Sequence, residues 1–438
     1  MKKIDVPQSL IGVLILITLV RPKPSLGNNL ISGRLVDAVW LILALAIFVL
    51  SLDFDKRKPR LWGGIVWLIV MTLSINISLF IGALFLQQTI VFRDIFELYR
   101  GPYYILILLL ASRLPWTEHQ LREYFYKPFL FGIWIVLIVS FVSGLGGLAS
   151  HLINIVYSPK YPGYDVLDLV SANADLRLRI SGTFGNPNFY AVALAIMVPF
   201  LFTGYYMIRQ TYLRFVISIT IVLSFIFLFS TGSRVGWISG IISIISYFFW
   251  DIRSQKKRVR IGVNRTKKAG KYLVIVAILL FAIIIFVGPK LERYTKTLRE
   301  IENKGISKIS SFERKIISGS QYVLLALNKS PILGFGPSKN IDFYQGDNQY
   351  SKIFFRYGLI GMVWWWGFWI SIFVMAFKMA KRSKSLMQLA LNNALLSIVP
   401  AFLVACIGGD FFDATQISTI LLLFIGVVYS SNISVSNK

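Results

Sequence analysis

Four arginines in this sequence stand close to signals for the start of a helix: Arg179, Arg234, Arg314 and Arg356. A cation in the first turn of a helix opposes the helix dipole, so it wants a carboxylate, a carbonyl or a bound anion beside it. The first lies in Arg177-Leu-Arg179-Ile-Ser-Gly-Thr-Phe-Gly-Asn-Pro-Asn188, where Asn186 suits an N-cap and Pro187 the first helical turn. Gly182 and Gly185 let a ligand approach the backbone, and the exposed N–H groups of a helix N-terminus attract anions. The second is Thr231-Gly-Ser-Arg234. The third is Gly334-Phe-Gly336 followed by Asp347-Asn348-Gln-Tyr350 and then Arg356-Tyr-Gly-Leu-Ile-Gly361. Each also has a plain structural reading. The first is a capped helix with interfacial arginines, the second an arginine reaching for headgroups, and in the third Asp347 is an N-cap.

The elements that carry these residues follow from composition. The chain has 438 residues, 56% hydrophobic, 15% aromatic and only 15% charged, with mean hydropathy +0.67. A soluble domain carries about 25% charged residues, and disordered chains are poor in apolar side chains, so both classes are excluded. The single cysteine, Cys406, rules out a disulfide scaffold. A bilayer-crossing helix needs about 20 mostly apolar residues. Charge-poor stretches predict twelve spans: Val6–Val20, Asp37–Leu52, Leu61–Gly82, Pro102–Ala111 (extended back to near Phe96), Pro128–Gly147, Asn188–Met207, Phe215–Ser230, Val235–Trp250, Tyr272–Gly288, Tyr357–Phe377, Leu386–Cys406 and Thr415–Tyr429. The expected fold is all-α and polytopic: one integral membrane domain, residues 1–438, with a large helical extracytoplasmic loop.

Net charge is +26, from 46 Lys and Arg against 20 Asp and Glu. Loops on the cytoplasmic side collect Lys and Arg. With both termini in the cytoplasm, most of the surplus falls there. Residues 251–271 alone hold nine basic residues and one acid. The charge is therefore read as topology, and no soluble domain remains to bind nucleic acid. The same arrangement puts residues 148–187 and 290–351 outside as the two long loops, where function concentrates. In the second, Ser310-Ser311-Phe312-Glu313 reads as a capping box. It opens an amphipathic helix with Phe312, Ile316, Ile317, Val323, Leu324 and Leu327 on its apolar face. All four arginines then share the outer membrane face. That suggests a pocket for a phosphate-bearing, membrane-held substrate, since Arg binds phosphate with two parallel hydrogen bonds. Asp53-Phe-Asp55 lies in a short cytoplasmic loop, and His119 and His151 are isolated. No zinc, calcium or nucleotide-binding spacing is present. The cluster Trp364-Trp365-Trp366 reads as lipid-facing or helix-packing bulk.

With these motifs in this order, the sequence resembles the O-antigen polymerase and ligase superfamily of bacterial membrane glycosyltransferases. The matching residues are Arg179-x-x-Gly-Thr-Phe-x-Asn-Pro-Asn188, then Ser233-Arg234, then Gly334-x-Gly336 with Asp347-Asn348-x-Tyr350 and Tyr357-Gly-x-Ile-Gly361. The hydropathy resemblance covers nearly the whole chain, and the motifs cover roughly residues 177–361.

The resemblance implies glycan transfer on the outer face of the bacterial inner membrane. The donor and acceptor would be glycans on undecaprenyl diphosphate, with no metal and no other cofactor. A flippase would deliver the donor, a chain-length regulator is a candidate partner, and membrane lipids surround the chain. The ligase branch typically has His-Asn where this sequence has Asp347-Asn348. That departure points to a polymerase, with a ligase and a transporter or flippase as alternatives. In this reading Arg179, Arg234 and Arg314 neutralise the leaving diphosphate. Asp347 serves as base, with Asp410 and Asp413 as competitors. Arg177, Asn188, Asn348, Tyr350 and Arg356 bind substrate. Transporters usually carry internal repeats or broken helices with charges at the midplane, whereas these charges are expected at one face.

Overall fold

The computed structural model describes residues 6–21, 42, 44–46, 62–90, 92–145, 153, 156–157, 180–208, 210–254, 310–337 and 348–433. Among these the long elements are all helices: α1 (Val6–Val20), α2 (Trp62–Leu84), α3 (Phe92–Arg113), α4 (Glu118–Leu145), α5 (Pro187–Met207), α6 (Thr211–Ser230), α7 (Arg234–Arg253), α8 (Ser310–Lys329), α9 (Gln349–Arg382), α10 (Leu386–Gly408) and α11 (Thr415–Ile433). Eight of them (α2, α4 to α7 and α9 to α11) are long and apolar enough to cross a membrane. This is the architecture of a polytopic helical membrane protein. The expected span at Tyr272–Gly288, and almost all of that at Asp37–Leu52, lie outside the described residues.

Two layers can be told apart by burial. Helices α5, α10 and α11 are enclosed on nearly all sides, and their cores read as continuous apolar runs such as Tyr190–Leu201. The surrounding helices bury one face only. In α7 the buried face is small and polar: Gly236, Ser239, Gly240 and Ser243. Ser239 Oγ donates to the Ala401 carbonyl (2.8 Å) and Ser243 Oγ to that of Ala195 (2.9 Å), tying α7 to α10 and α5. The outward face carries Ile238, Ile241, Ile245, Phe249 and Ile252, all exposed. Apolar side chains outward and small residues inward is what a lipid solvent favours, because close backbone approach rather than apolar burial drives helix association there.

Two helices begin earlier than hydropathy predicts. α9 starts at Gln349 instead of Tyr357, and α3 at Phe92. Their opening turns carry Lys352 and Arg356, and Asp94, Glu97 and Arg100. These charges depress the hydropathy that marks a span, and tertiary partners restore the balance.

α9 is kinked where its backbone leaves the helical region at Gly358 (φ 59°, ψ −151°). Such a conformation is essentially restricted to glycine. The segment Pro331–Gly336 fills the break. Phe335 N–H donates to the Phe355 carbonyl (3.0 Å) and Gly336 N–H to that of Arg356 (2.8 Å). In return Leu359 N–H donates to Pro331 (2.8 Å) and Ile360 N–H to Ile332 (3.2 Å). The approach leaves no room for side chains. A Cβ on Gly358 would lie 2.4 Å from the Ile332 carbonyl carbon, and one on Gly334 equally close to that of Arg356. The two glycine motifs are thus halves of one joint.

α8 forms over the expected residues. Gly319, Tyr322, Leu325 and Ala326 meet α9 and the Phe335–Phe355 pair, while Leu324 and Leu327 are exposed. The small residues at Gly319 and Ala326 permit the close approach to α9, which the larger leucines do not. The side chains of Phe312, Ile316 and Ile317 lie outside the described ones.

Gly358→Ala is expected to destabilise the protein by at least about 1–3 kcal/mol, the cost of one strained backbone position. The thermal unfolding midpoint of detergent-purified protein should fall. An unchanged midpoint would mean the joint tolerates a side chain.

Candidate active site

The three motif segments converge at one end of the bundle. Asn186 caps α5, its side chain accepting from Asn188 N–H (2.8 Å), after a tight turn at Gly182–Phe184. Ser233 caps α7 by accepting from Gly236 N–H (3.2 Å), and Thr231 Oγ1 braces the turn by accepting from Ser233 N–H. Asn348 caps α9 by accepting from Tyr350 N–H (2.9 Å). The starts of α5 and α7 touch each other, and those of α5 and α9 meet the loop between α10 and α11. A Cβ on Gly236 would lie 2.1 Å from the Ala191 side chain, and one on Gly408 equally close to Val235. Phe189 and Phe411 meet edge to face at 5.7 Å. The end of α1 joins through the Leu19 carbonyl, which accepts from Thr183 Oγ1 (2.7 Å) and Gln416 Nε2 (3.3 Å).

Behind this surface sits a buried charge cluster built on Asp413. Its carboxylate meets Arg100 of α3 (2.9 Å), Lys352 (2.9 Å) and Arg356 (3.1 Å) of α9. Lys352 also reaches Asp410 (2.5 Å), and Arg100 reaches Glu97 (2.6 Å). Burial works against a charge on Asp413, but Lys352, Arg100 and Arg356 outweigh it and hold the carboxyl well below the usual carboxylate range. The loop that presents Asp413 is itself anchored. Phe412 is buried among Tyr104, Trp364, Trp365, Trp369 and Phe402, its carbonyl accepts from Tyr104 Oη (2.8 Å), and its N–H donates to Gln349 Oε1 (3.3 Å). Trp364 and Trp365 are helix-packing bulk, whereas Trp366 is 40% exposed.

Among the described residues the cluster holds three cations and three carboxylates. A neutral, buried set of this kind is a clamp between helices rather than an open anion site. Arg356 belongs to it: the side chain is 5% exposed and its guanidinium faces Asp413. Arg234 is different. It is the first residue of α7, exposed at the same end. Asn188 is half-buried beside Phe189 at the start of α5. Tyr350 turns inward, donating its hydroxyl to the Leu403 carbonyl (2.7 Å) and stacking on Trp366. Arg314 lies in the first turns of α8 and its side chain is outside the described ones. Arg177, Arg179 and Asp347 lie outside the described residues; Arg179 directly precedes Ile180 in sequence, and Asp347 directly precedes Asn348.

Arg100, Glu97 and Lys352 were not singled out from the sequence. Their signal was nonetheless there. Glu97 and Arg100 are three apart, and Lys352 and Arg356 four apart, so each pair shares a helix face within apolar surroundings.

A polytopic helical membrane protein with its capped helix starts gathered at one end is thus the class that fold and site define. Residues 219–366 match the family described as O-antigen ligase, from within α6 to within α9. That match, over about a third of the chain, supports the likeness to the O-antigen polymerase and ligase superfamily and does not separate the two branches. No curated protein matches the chain.

Asp413→Asn should destabilise the protein by about 3–5 kcal/mol, because three buried cations lose their shared partner. The sign with pH follows from the lowered pKa. Asp413 contributes stability at pH above its unfolded value of about 4, and that contribution is lost as pH falls through the lower folded value. Thermal unfolding from pH 7 down to pH 3 should therefore show a smaller loss in the variant than in the wild type. Parallel curves would exclude this role.

Proposed function

We propose that the protein is a membrane glycosyltransferase that elongates a polysaccharide from undecaprenyl-diphosphate-linked repeat units on the outer face of the bacterial inner membrane. The observation that carries the reading is the meeting of all three motif segments at one end of the bundle, with Arg234 exposed there. The family match supports glycan transfer of the polymerase or ligase kind. The basic residues of the other end, among them Arg122, Lys127, Arg253 and Lys381, fit a cytoplasmic orientation for that end and an outward orientation for the site.

In the proposed reaction an acceptor sugar hydroxyl attacks the anomeric carbon of the donor. The bond from that carbon to the diphosphate oxygen breaks, and its electron pair leaves with undecaprenyl diphosphate. Arg234, Arg179 and Arg314 offset the charge that develops on the leaving oxygen, a stabilisation larger in the transition state than in the ground state. The hydroxyl proton passes to Asp347, next to the α9 cap. Asp410, whose side chain is 33% exposed, is the second carboxylate in reach of this end. Asp413, fully engaged by three cations, is a poor base and serves to position α9. Lys352 and Arg356 are positioning residues on the same grounds. Asn188 and Asn348 offer polar contacts to sugar hydroxyls at the helix starts. The polyprenyl chain lies along the lipid-facing helices, so no soluble binding domain is needed.

A polymerase is favoured over a ligase by Asp347, which stands where the ligase branch typically carries His. Of the two histidines, His119 lies at the start of α4, at the opposite end. The ligase reading rests on the description of the matched family.

Arg234→Ala should cut chain elongation by about 10²–10³-fold, the usual cost of one transition-state charge partner. Surface polysaccharide would shift to single repeat units while the protein still inserts. Long chains in the variant would refute the role. A deletion strain separates the branches: single repeat units on the lipid carrier mark a polymerase, and long lipid-linked polymer without transfer marks a ligase.

A further inference from the structure

At the end of the bundle away from the candidate active site, α2, α9, α10 and α11 border an open cavity of about 760 Å³. One wall is apolar, formed by Ile372, Val374, Met375 and Met379. The rim is cationic, formed by Lys378, Arg382 and Lys384, all exposed. Among the described residues neither Asp nor Glu lines the cavity, and no carboxylate forms an ion pair with these three cations. The contrast with the other end is direct, since there three cations are matched by three carboxylates.

The turn that carries Lys384 is rigidly held. Gln388 Oε1 accepts from Lys384 N–H (2.9 Å), and Gln388 Nε2 donates to the Ser431 carbonyl (3.1 Å). Asn392 and Asn432 exchange side-chain amide hydrogen bonds (3.0 and 3.2 Å), and Asn392 also donates to Ser383 Oγ (3.1 Å). The rim cations thus stand over a fixed polar floor, of which Gln388 and Asn432 face the cavity. Across from them Gly63 and Gly64 open α2 without side chains to fill the space.

We propose that this cavity binds the headgroup of an anionic glycerophospholipid. Its phosphate would sit among Lys378, Arg382 and Lys384, its glycerol would meet Gln388 and Asn432, and the first carbons of an acyl chain would follow the Met375 wall. Cations with no carboxylate partner among the described residues, beside an apolar cleft between membrane helices, suit a ligand that is anionic at one end and apolar at the other. Ordinary snorkelling lysines need no cavity. The inference does not depend on the glycosyltransferase reading, because it concerns the opposite end of the molecule.

The test uses the full chain in phosphatidylcholine nanodiscs, with unfolding followed by tryptophan fluorescence. Phosphatidylglycerol is expected to raise the unfolding midpoint, and phosphatidylcholine and inorganic phosphate are not. Replacing Lys378, Arg382 and Lys384 together with Gln should weaken phosphatidylglycerol binding by about a hundredfold, three basic residues each contributing about fivefold. Met375→Trp, which fills the apolar cleft and keeps every cation, should also abolish the shift, and it decides the matter if the triple variant fails to insert. An equal shift with phosphatidylcholine would overturn the proposal. So would an equal shift with inorganic phosphate, which marks a free-anion site, or an undiminished shift in both variants.

Discussion

Three cations on one buried carboxylate hold together the end of the bundle that carries the candidate site. Asp413 sits in the short loop between α10 and α11, and its partners come from α3 and α9. Removing ions from water costs several kcal/mol each, so such a set persists only when the charges are matched and well placed. Matching is achieved through Asp410 and Glu97, which meet the second valence of Lys352 and Arg100. Placement is achieved by aromatic packing around Phe412, which fixes the backbone from which Asp413 projects. The cluster therefore joins elements far apart in sequence and sets the register of α9 against the α10–α11 loop.

That register matters because α9 is not a simple rod. Its first two turns belong to the polar end and the remainder to the membrane, and the two parts meet at the Gly358 break. A break inside a membrane helix frees backbone groups that lipid cannot satisfy. The Pro331–Gly336 segment supplies the missing donors and acceptors, which couples α8 and its following loop to the charge cluster through Phe355 and Arg356. The glycine motifs, the capping asparagine and the buried arginine are in this sense one construction. Its result is a set of helix starts that face the same aqueous surface with Arg234 among them.

The two ends of the bundle handle charge in opposite ways. At the end that carries the candidate site, three cations and three carboxylates pair among the described residues, and Arg234 is exposed at the same end. At the other end Lys378, Arg382 and Lys384 have no carboxylate partners among the described residues, and the surplus is left for solvent and headgroups.

The fold class was legible in the sequence, because a bilayer imposes long apolar helices and hydropathy reports them directly. The helix start at Asn186 was equally legible, since capping is a local hydrogen-bonding matter among neighbours in the chain, and α8 begins at Ser310 as expected. So was the likeness to O-antigen polymerases and ligases, which the family match over residues 219–366 supports. The charged openings of α3 and α9 were not legible, because hydropathy counts an ionic side chain as a cost and cannot see the partner that removes it. Nor was the division of the arginines into Arg356, consumed by a clamp, and Arg234, exposed at the surface. Local sequence places both in the first turns of a helix. Only the tertiary structure brings Asp413, 57 residues from Arg356 along the chain, into contact with one of them. Charge neutralisation depends on distance in space, and spacing along a sequence does not encode it.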